Sequence, residues 1–142
     1  MLRLPRFTYV APATLDEAIR LRSEHVATSM YVAGGTDVYP KMKRRQFQPE
    51  LVVSLGNVVR ADVTNGSAHG LRIGAGATLT AVSEHPKVRA GYRALAEAAA
   101  LVSTPQLRNM GTLGGNICLD TRCNWYDQSL FWRTAEGFCM KT

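Results

Sequence analysis

Short apolar runs alternate with amphipathic stretches over the first 57 positions, and each changeover carries a boundary residue. Phe7 to Val10 reads as a short strand. Thr14-Leu15-Asp16-Glu17 then has capping-box spacing, in which Thr14 and Glu17 can each satisfy a free backbone N–H, so a helix is expected to about His25. Ser29 to Ala33 is a second apolar run, ending at Gly34-Gly35. Val38 to Arg45 suits a short helix with Pro40 near its first turn, where a missing N–H costs little. Leu51 to Leu55 is nearly all apolar, as expected of a strand covered on both faces. Strand, helix and strand in this order predict an α/β unit with parallel pairing.

From Val58 the pattern changes. Asn65-Gly66 and Gly70 flank short segments such as Leu71-Arg72-Ile73, which predicts a hairpin and the start of a second subdomain. Val88, Tyr92, Leu95, Ala99 and Val102 recur at steps of four and three behind Pro86, so one long helix with that stripe in the core is expected. The chain then loops through Ser103-Thr104-Pro105 into Thr112-Leu113-Gly114-Gly115-Asn116 and an aromatic-rich segment. Nothing after Cys139 closes the domain, so a fragment of a longer protein is expected.

The composition of the 142 residues, 46% hydrophobic and 20% charged, fits one ordinary soluble globular unit. No apolar run reaches the roughly 18 residues of a membrane span. Pro5 and Arg6 interrupt any signal-peptide apolar region, so a cytoplasmic protein is the default. The net charge of +6 invites a nucleic-acid reading, but only Lys41, Lys43, Arg44 and Arg45 cluster, and basic or aromatic nucleic-acid motifs are lacking. That cluster reads as the solvated face of a short helix or a docking surface for an acidic partner. Three cysteines without a secretory signal leave metal, redox chemistry and simple burial open.

Two glycine pairs are the strongest candidates for chemistry: Val32-Ala33-Gly34-Gly35-Thr36-Asp37 and Thr112-Leu113-Gly114-Gly115-Asn116. Glycine permits positive φ and close backbone approach, so consecutive N–H groups can face one anion, and a pyrophosphate would suit both turns together. Either pair alone is also an ordinary tight turn leaving a strand. Asp37 would repel a phosphate and is expected to turn away as a helix N-cap, leaving Thr36 and Asn116 as direct donors. The Thr112 hydroxyl is either a donor or satisfied by local backbone. Gly74-Ala75-Gly76 lacks the third glycine of a dinucleotide fingerprint and a directly following helix. His25, His69 and His85 stand without partners at suggestive spacing and read as surface residues, so no general acid, base or nucleophile is identified.

VAGGTDVYP and TLGGN, with IGAGATL and PQLRNMG between them, resemble the paired FAD-binding loops of the flavoprotein subunit of the xanthine oxidase, or molybdenum hydroxylase, family. The resemblance covers nearly the whole chain. It implies an α+β, p-cresol methylhydroxylase-type FAD-binding domain of two α/β subdomains, cut at the C-terminus. The first subdomain would span 1–57. The second would start at 58–142 and carry an inserted iron–sulfur loop from about 117. By the same resemblance, Val32, Ala33, Gly34, Gly35, Thr36, Asp37 and Val38 form the first FAD loop and Thr112, Leu113, Gly114, Gly115 and Asn116 the second. Val102 matches a position that touches FAD in relatives.

Cys118, Cys123 and Cys139 do not have the spacing of compact zinc sites, and a cubane cluster needs four thiolates where the chain supplies at most three. The stretch CLDTRCNWYDQSLFWRTAEGFCMK resembles an insertion in the 4-hydroxybenzoyl-CoA reductase branch of the family, where it carries a [4Fe-4S] cluster. By that resemblance Cys123 and Cys139 are the first two ligands, two more lie beyond Thr142, and Cys118 is not a ligand. Trp125, Tyr126, Phe131 and Trp132 would shield the cluster or simply pack. The resemblance also implies electron transfer rather than substrate chemistry. A ferredoxin-like donor would feed cluster and FAD, a small subunit would hold [2Fe-2S] centres, and a molybdenum-cofactor large subunit would reductively dehydroxylate 4-hydroxybenzoyl-CoA. The alternatives are the FAD subunit of another aromatic or purine hydroxylase and, in a different class, a basic zinc-containing binding module.

Overall fold

The computed structural model describes residues 2–66, 70–120 and 122–138. Three parallel strands, β1 (Thr8–Val10), β2 (Ser29–Val32) and β3 (Leu51–Ser54), form a sheet in the order β1-β3-β2, with Tyr9 and Met30 both in register with Val52. The most apolar strand takes the centre because it alone is covered on both edges and both faces. Val52 and Val53 are fully buried.

Helix α1 (Leu15–Glu24) runs between β1 and β2. Its capping box forms with a shift of one residue: Glu17 N–H donates to the Thr14 hydroxyl, and the Glu17 carboxylate accepts from Ala13 N–H. Helix α2 (Val38–Lys43) drops Met42, fully buried, against Val32 and Val52, with Phe7, Val38, Tyr39 and Phe47 around them.

A second apolar cluster joins Ala77, Leu79, Val82, Val88, Ala96 and Ala99. It is built by the antiparallel hairpin β4 (Val63–Asn65) and β5 (Leu71–Ile73) with α3 (Leu79–Glu84), α4 (Pro86–Gly91) and α5 (Arg93–Leu101). Three features differ from expectation. Residues 79–84 form a helix that the sequence pattern did not suggest, started by the Thr78 hydroxyl accepting from Ala81 N–H. The single long helix is two: it breaks at Tyr92, φ −138°, next to Gly91, whose low helix propensity weakens the junction. Tyr92 is consequently exposed, and Ala96 takes its place in the core.

Beyond α5 come α6 (Pro105–Arg108), α7 (Leu113–Ile117) and α8 (Leu130–Ala135). Among the described residues no helix is long and apolar enough to cross a membrane.

Candidate functional site

The first glycine pair lies where β2 hands over to α2. Gly35 adopts φ +70°, a left-handed conformation that a residue with a Cβ takes only at a cost, and its Cα faces the Tyr39 ring. A Cβ at Gly34 would stand 1.8 Å from the Met110 carbonyl oxygen, so only glycine allows this turn to touch the strand of backbone leading into the second pair. The Thr36 hydroxyl lies beside Gly111 at the same contact. The two loops therefore abut. The backbone N–H groups of Gly34, Gly35, Thr36 and Asp37 have no hydrogen-bond acceptor among the described residues. Four consecutive unpaired donors on a half-buried turn require a polar partner, which water or an anionic ligand can supply.

The second pair differs from expectation. Residues 113–117 are the short helix α7, and the Thr112 hydroxyl is its cap, accepting from Gly115 N–H at 3.1 Å. Leu113 N–H donates to Ala77 O, Gly114 N–H to Ala75 O and Asn116 N–H to Thr112 O. The N–H groups of Leu113 to Asn116 are thus committed inside the protein and do not aim at an anion, and only that of Thr112 donates to no acceptor among the described residues. Gly114 serves close packing instead, because a Cβ there would lie 2.7 Å from the Ala75 Cβ. Asn116 stays exposed. Val102 follows α5 half-buried against the second apolar cluster, with its carbonyl held by Arg108 Nη1 at 3.0 Å. The Gly74-Ala75-Gly76 turn precedes α3 by two residues, yet both its glycines face the Arg60 backbone rather than open space.

Asp37 corrects another expectation. Its side chain makes no cap bond, for a local reason: the third helical position is Pro40, which has no N–H, and Tyr39 N–H already donates to Gly35 O. The carboxylate turns outward to two cations, Lys41 Nζ at 3.1 Å and Arg122 Nη1 at 2.7 Å. Lys41 is 2% exposed and lies over the rings of Phe47 and Tyr126 at 5.1 and 5.8 Å. The basic cluster is therefore not a solvated face. Arg44 pairs with Asp127 at 2.9 Å, Arg45 Nη1 donates to the carbonyls of Arg3 and Met42, and Lys43 alone of the four is exposed.

These contacts seat residues 122–128 on α2. Gln46 Nε2 completes the seat by donating to the carbonyls of Tyr126 and Gln128. Tyr39, on the same helix, has its phenol pushed above its usual range, first by burial and second by the Tyr9 phenol nearby, so it stays neutral at ordinary pH.

Cys123 and Cys118 are exposed thiols, and Cys139 and His69 lie outside the described residues. No group of three or more His, Cys, Asp or Glu side chains able to hold a metal exists among the described residues. Trp125, Phe131 and Trp132 are exposed rather than packed, and only Tyr126 is half-buried. His85 is not a surface residue: it is half-buried before α4, with Nδ1 enclosed.

The joint between α2 and residues 122–128 was only half legible in the sequence. Asp37 and Lys41 stand four apart, the spacing of a helical ion pair. Arg122 and Asp127 are more than 80 positions away from their partners, and local pattern carries no sign of that pairing.

Comparison with known proteins places these features. The family model described as FAD binding domain in molybdopterin dehydrogenase matches residues 5–128, which include both glycine pairs. The FAD-subunit of nicotinate dehydrogenase from Eubacterium barkeri is 35% identical over 112 residues, 78% of this chain and 38% of the relative. Carbon monoxide dehydrogenase from Hydrogenophaga pseudoflava, solved without the Mo-pyranopterin moiety of its cofactor, superposes with a TM-score of 0.71 and 36% identity, over 81% of this chain and 40% of that one. Quinoline 2-oxidoreductase from Pseudomonas putida 86 gives a TM-score of 0.74 at 32% identity, over 80% and 39%. The chain thus spans about two-fifths of the length of these relatives.

Proposed function

The chain belongs to the family of FAD-binding domains in molybdopterin dehydrogenases, and from that premise we propose that its first glycine loop holds the FAD pyrophosphate on the N–H groups of Gly34, Gly35, Thr36 and Asp37. The observation that carries the reading is those four unpaired donors at a β2-to-α2 turn, a fit for an anion that needs several short hydrogen bonds. Ala33, exposed, and Val38, at the start of α2, flank that turn, and Val32 fixes its first end in the core. The second loop, Thr112 to Asn116 with Leu113, Gly114 and Gly115, acts as the wall that sets the first loop's shape. Val102 lines the same region in this reading.

The chain binds and orients. FAD, when bound, supplies the electron-carrying chemistry. Neutral Tyr39 beside Gly35 adds no charge to the cradle, and Asp37 keeps its carboxylate away from the phosphates by facing Lys41 and Arg122. The full-length protein is expected to purify with a flavin spectrum at one FAD per chain. Full flavin occupancy in a Gly34→Val variant would contradict the assignment, because a side chain there cannot coexist with the Met110 carbonyl.

We further read the subunit as part of an oxidoreductase in which a molybdenum-cofactor large subunit converts the substrate and a [2Fe-2S] small subunit lies between the two. Two finer readings follow from different observations. The resemblance of residues from about 117 onward to the 4-hydroxybenzoyl-CoA reductase branch supports a [4Fe-4S] cluster with Cys123 and Cys139 among its ligands and a ferredoxin-like donor. The exposed Cys123 thiol is compatible with that role. Iron analysis of the full-length protein checks it: about four irons per chain are expected, and none would leave both cysteines without a cluster. The names of the relatives favour the other reading, the FAD subunit of a dehydrogenase acting on a small heteroaromatic or similar substrate.

A further inference from the structure

The joint between α2 and residues 122–128 does more than close a surface. Lys41 carries a charge almost wholly removed from water, so its ammonium must keep a carboxylate partner, and Asp37 is that partner. The same Asp37 supplies one of the four unpaired N–H groups of the glycine loop. Its second carboxylate oxygen is held by Arg122 from the inserted segment, and Arg122 also reaches Asp127 at 3.8 Å. One residue therefore belongs to the anion cradle by its backbone and to the inserted segment by its side chain.

We propose that Asp37 is a positioning residue that couples occupancy of the Gly34-to-Asp37 cradle to the seating of residues 122–128 through Arg122 and Lys41. With its carboxylate clamped, Asp37 stays near φ −111°, ψ −41°, which fixes the peptide plane that carries its own N–H, one of the four unpaired donors. Seating of the insert thus preorganises the cradle. By reciprocity, a ligand on the cradle tightens the seat by the same factor. Tyr126 over Lys41 and Arg44 against Asp127 make the seat cooperative, since neither half of it is satisfied alone. The proposal rests on the FAD reading for the identity of the ligand.

The test uses the full-length subunit as wild type, Arg122→Gln and Arg122→Lys, with two readouts: FAD affinity, and hydrogen exchange of peptides covering 122–130 with and without FAD. In the wild type FAD slows that exchange. Arg122→Gln is expected to abolish the FAD-dependent protection and to raise the FAD Kd about fivefold or more, and Arg122→Lys to retain part of both. An Arg122→Gln variant whose 122–130 amides exchange faster while its FAD Kd is unchanged overturns the coupling. A wild type that binds no FAD overturns the FAD reading instead. In that case inorganic pyrophosphate is the probe: protection of 122–130 that Arg122→Gln loses supports the coupling, and no protection by either ligand overturns it.

Discussion

Single glycines and one carboxylate decide what the first loop can hold. A methyl at Gly34 collides with backbone, whereas a methyl at Gly115 would meet only the Thr112 hydroxyl at 3.0 Å. Gly34→Ala should therefore lose FAD and destabilise the fold by about 1–3 kcal/mol, as overpacking does, while Gly115→Ala should cost less on both counts. Flavin fluorescence after equilibrium dialysis and thermal melts of the two variants check the order. Asp37→Ala should destabilise by about 3–5 kcal/mol, because it strands a buried ammonium. Adding Lys41→Met to that variant should recover much of the loss, since an apolar chain of similar length needs no partner. Denaturant midpoints of the single and double variants decide it, and equal losses in both would show that Lys41 is not the cause.

At the level of elements, the second loop is best understood as a capped helix. Thr112→Ala removes the hydroxyl that accepts from Gly115 N–H and should cost about 1 kcal/mol. Because Leu113 and Gly114 N–H groups are anchored on Ala77 and Ala75, the loss should also loosen the wall behind the first loop, seen as faster exchange at residues 112–116. How legible such elements were in the sequence depended on how local their causes are. The parallel sheet and the hairpin were legible because apolar runs and Asn65-Gly66 speak directly of strands and a turn. Helix α7 was not, since Gly114-Gly115 argues against helix by propensity, and its bonds to Ala75 and Ala77 come from a distant segment. The break at Tyr92 was hidden because the stripe from Val88 to Val102 keeps helical spacing across it. Of the candidate site, the order and placement of both glycine loops were readable, but which one keeps its donors free was not, because the acceptors of Leu113 and Gly114 N–H, Ala77 and Ala75, lie in a segment far upstream.

On the scale of the whole molecule, the first glycine loop and residues 122–128 meet at helix α2, so two regions that the sequence sets far apart come together at one short element. The loops belong to a family whose model matches residues 5–128, and the seat of residues 122–128 on α2 explains how a segment after the second loop can stand beside the first. The rings of Trp125, Phe131 and Trp132, on and just after this segment, are exposed. The two glycine loops differ in whether their backbone donors are free, and that difference decides where an anion can be held. Titration of FAD into the full-length subunit, selectively ¹⁵N-labelled at glycine and threonine and followed by amide NMR, tests it directly. The Gly34, Gly35 and Thr36 amides should shift downfield as they take up the pyrophosphate, and those of Gly114 and Gly115, already bonded to Ala75 and Thr112, should move little. Saturating FAD that leaves Gly34, Gly35 and Thr36 unmoved would contradict the account.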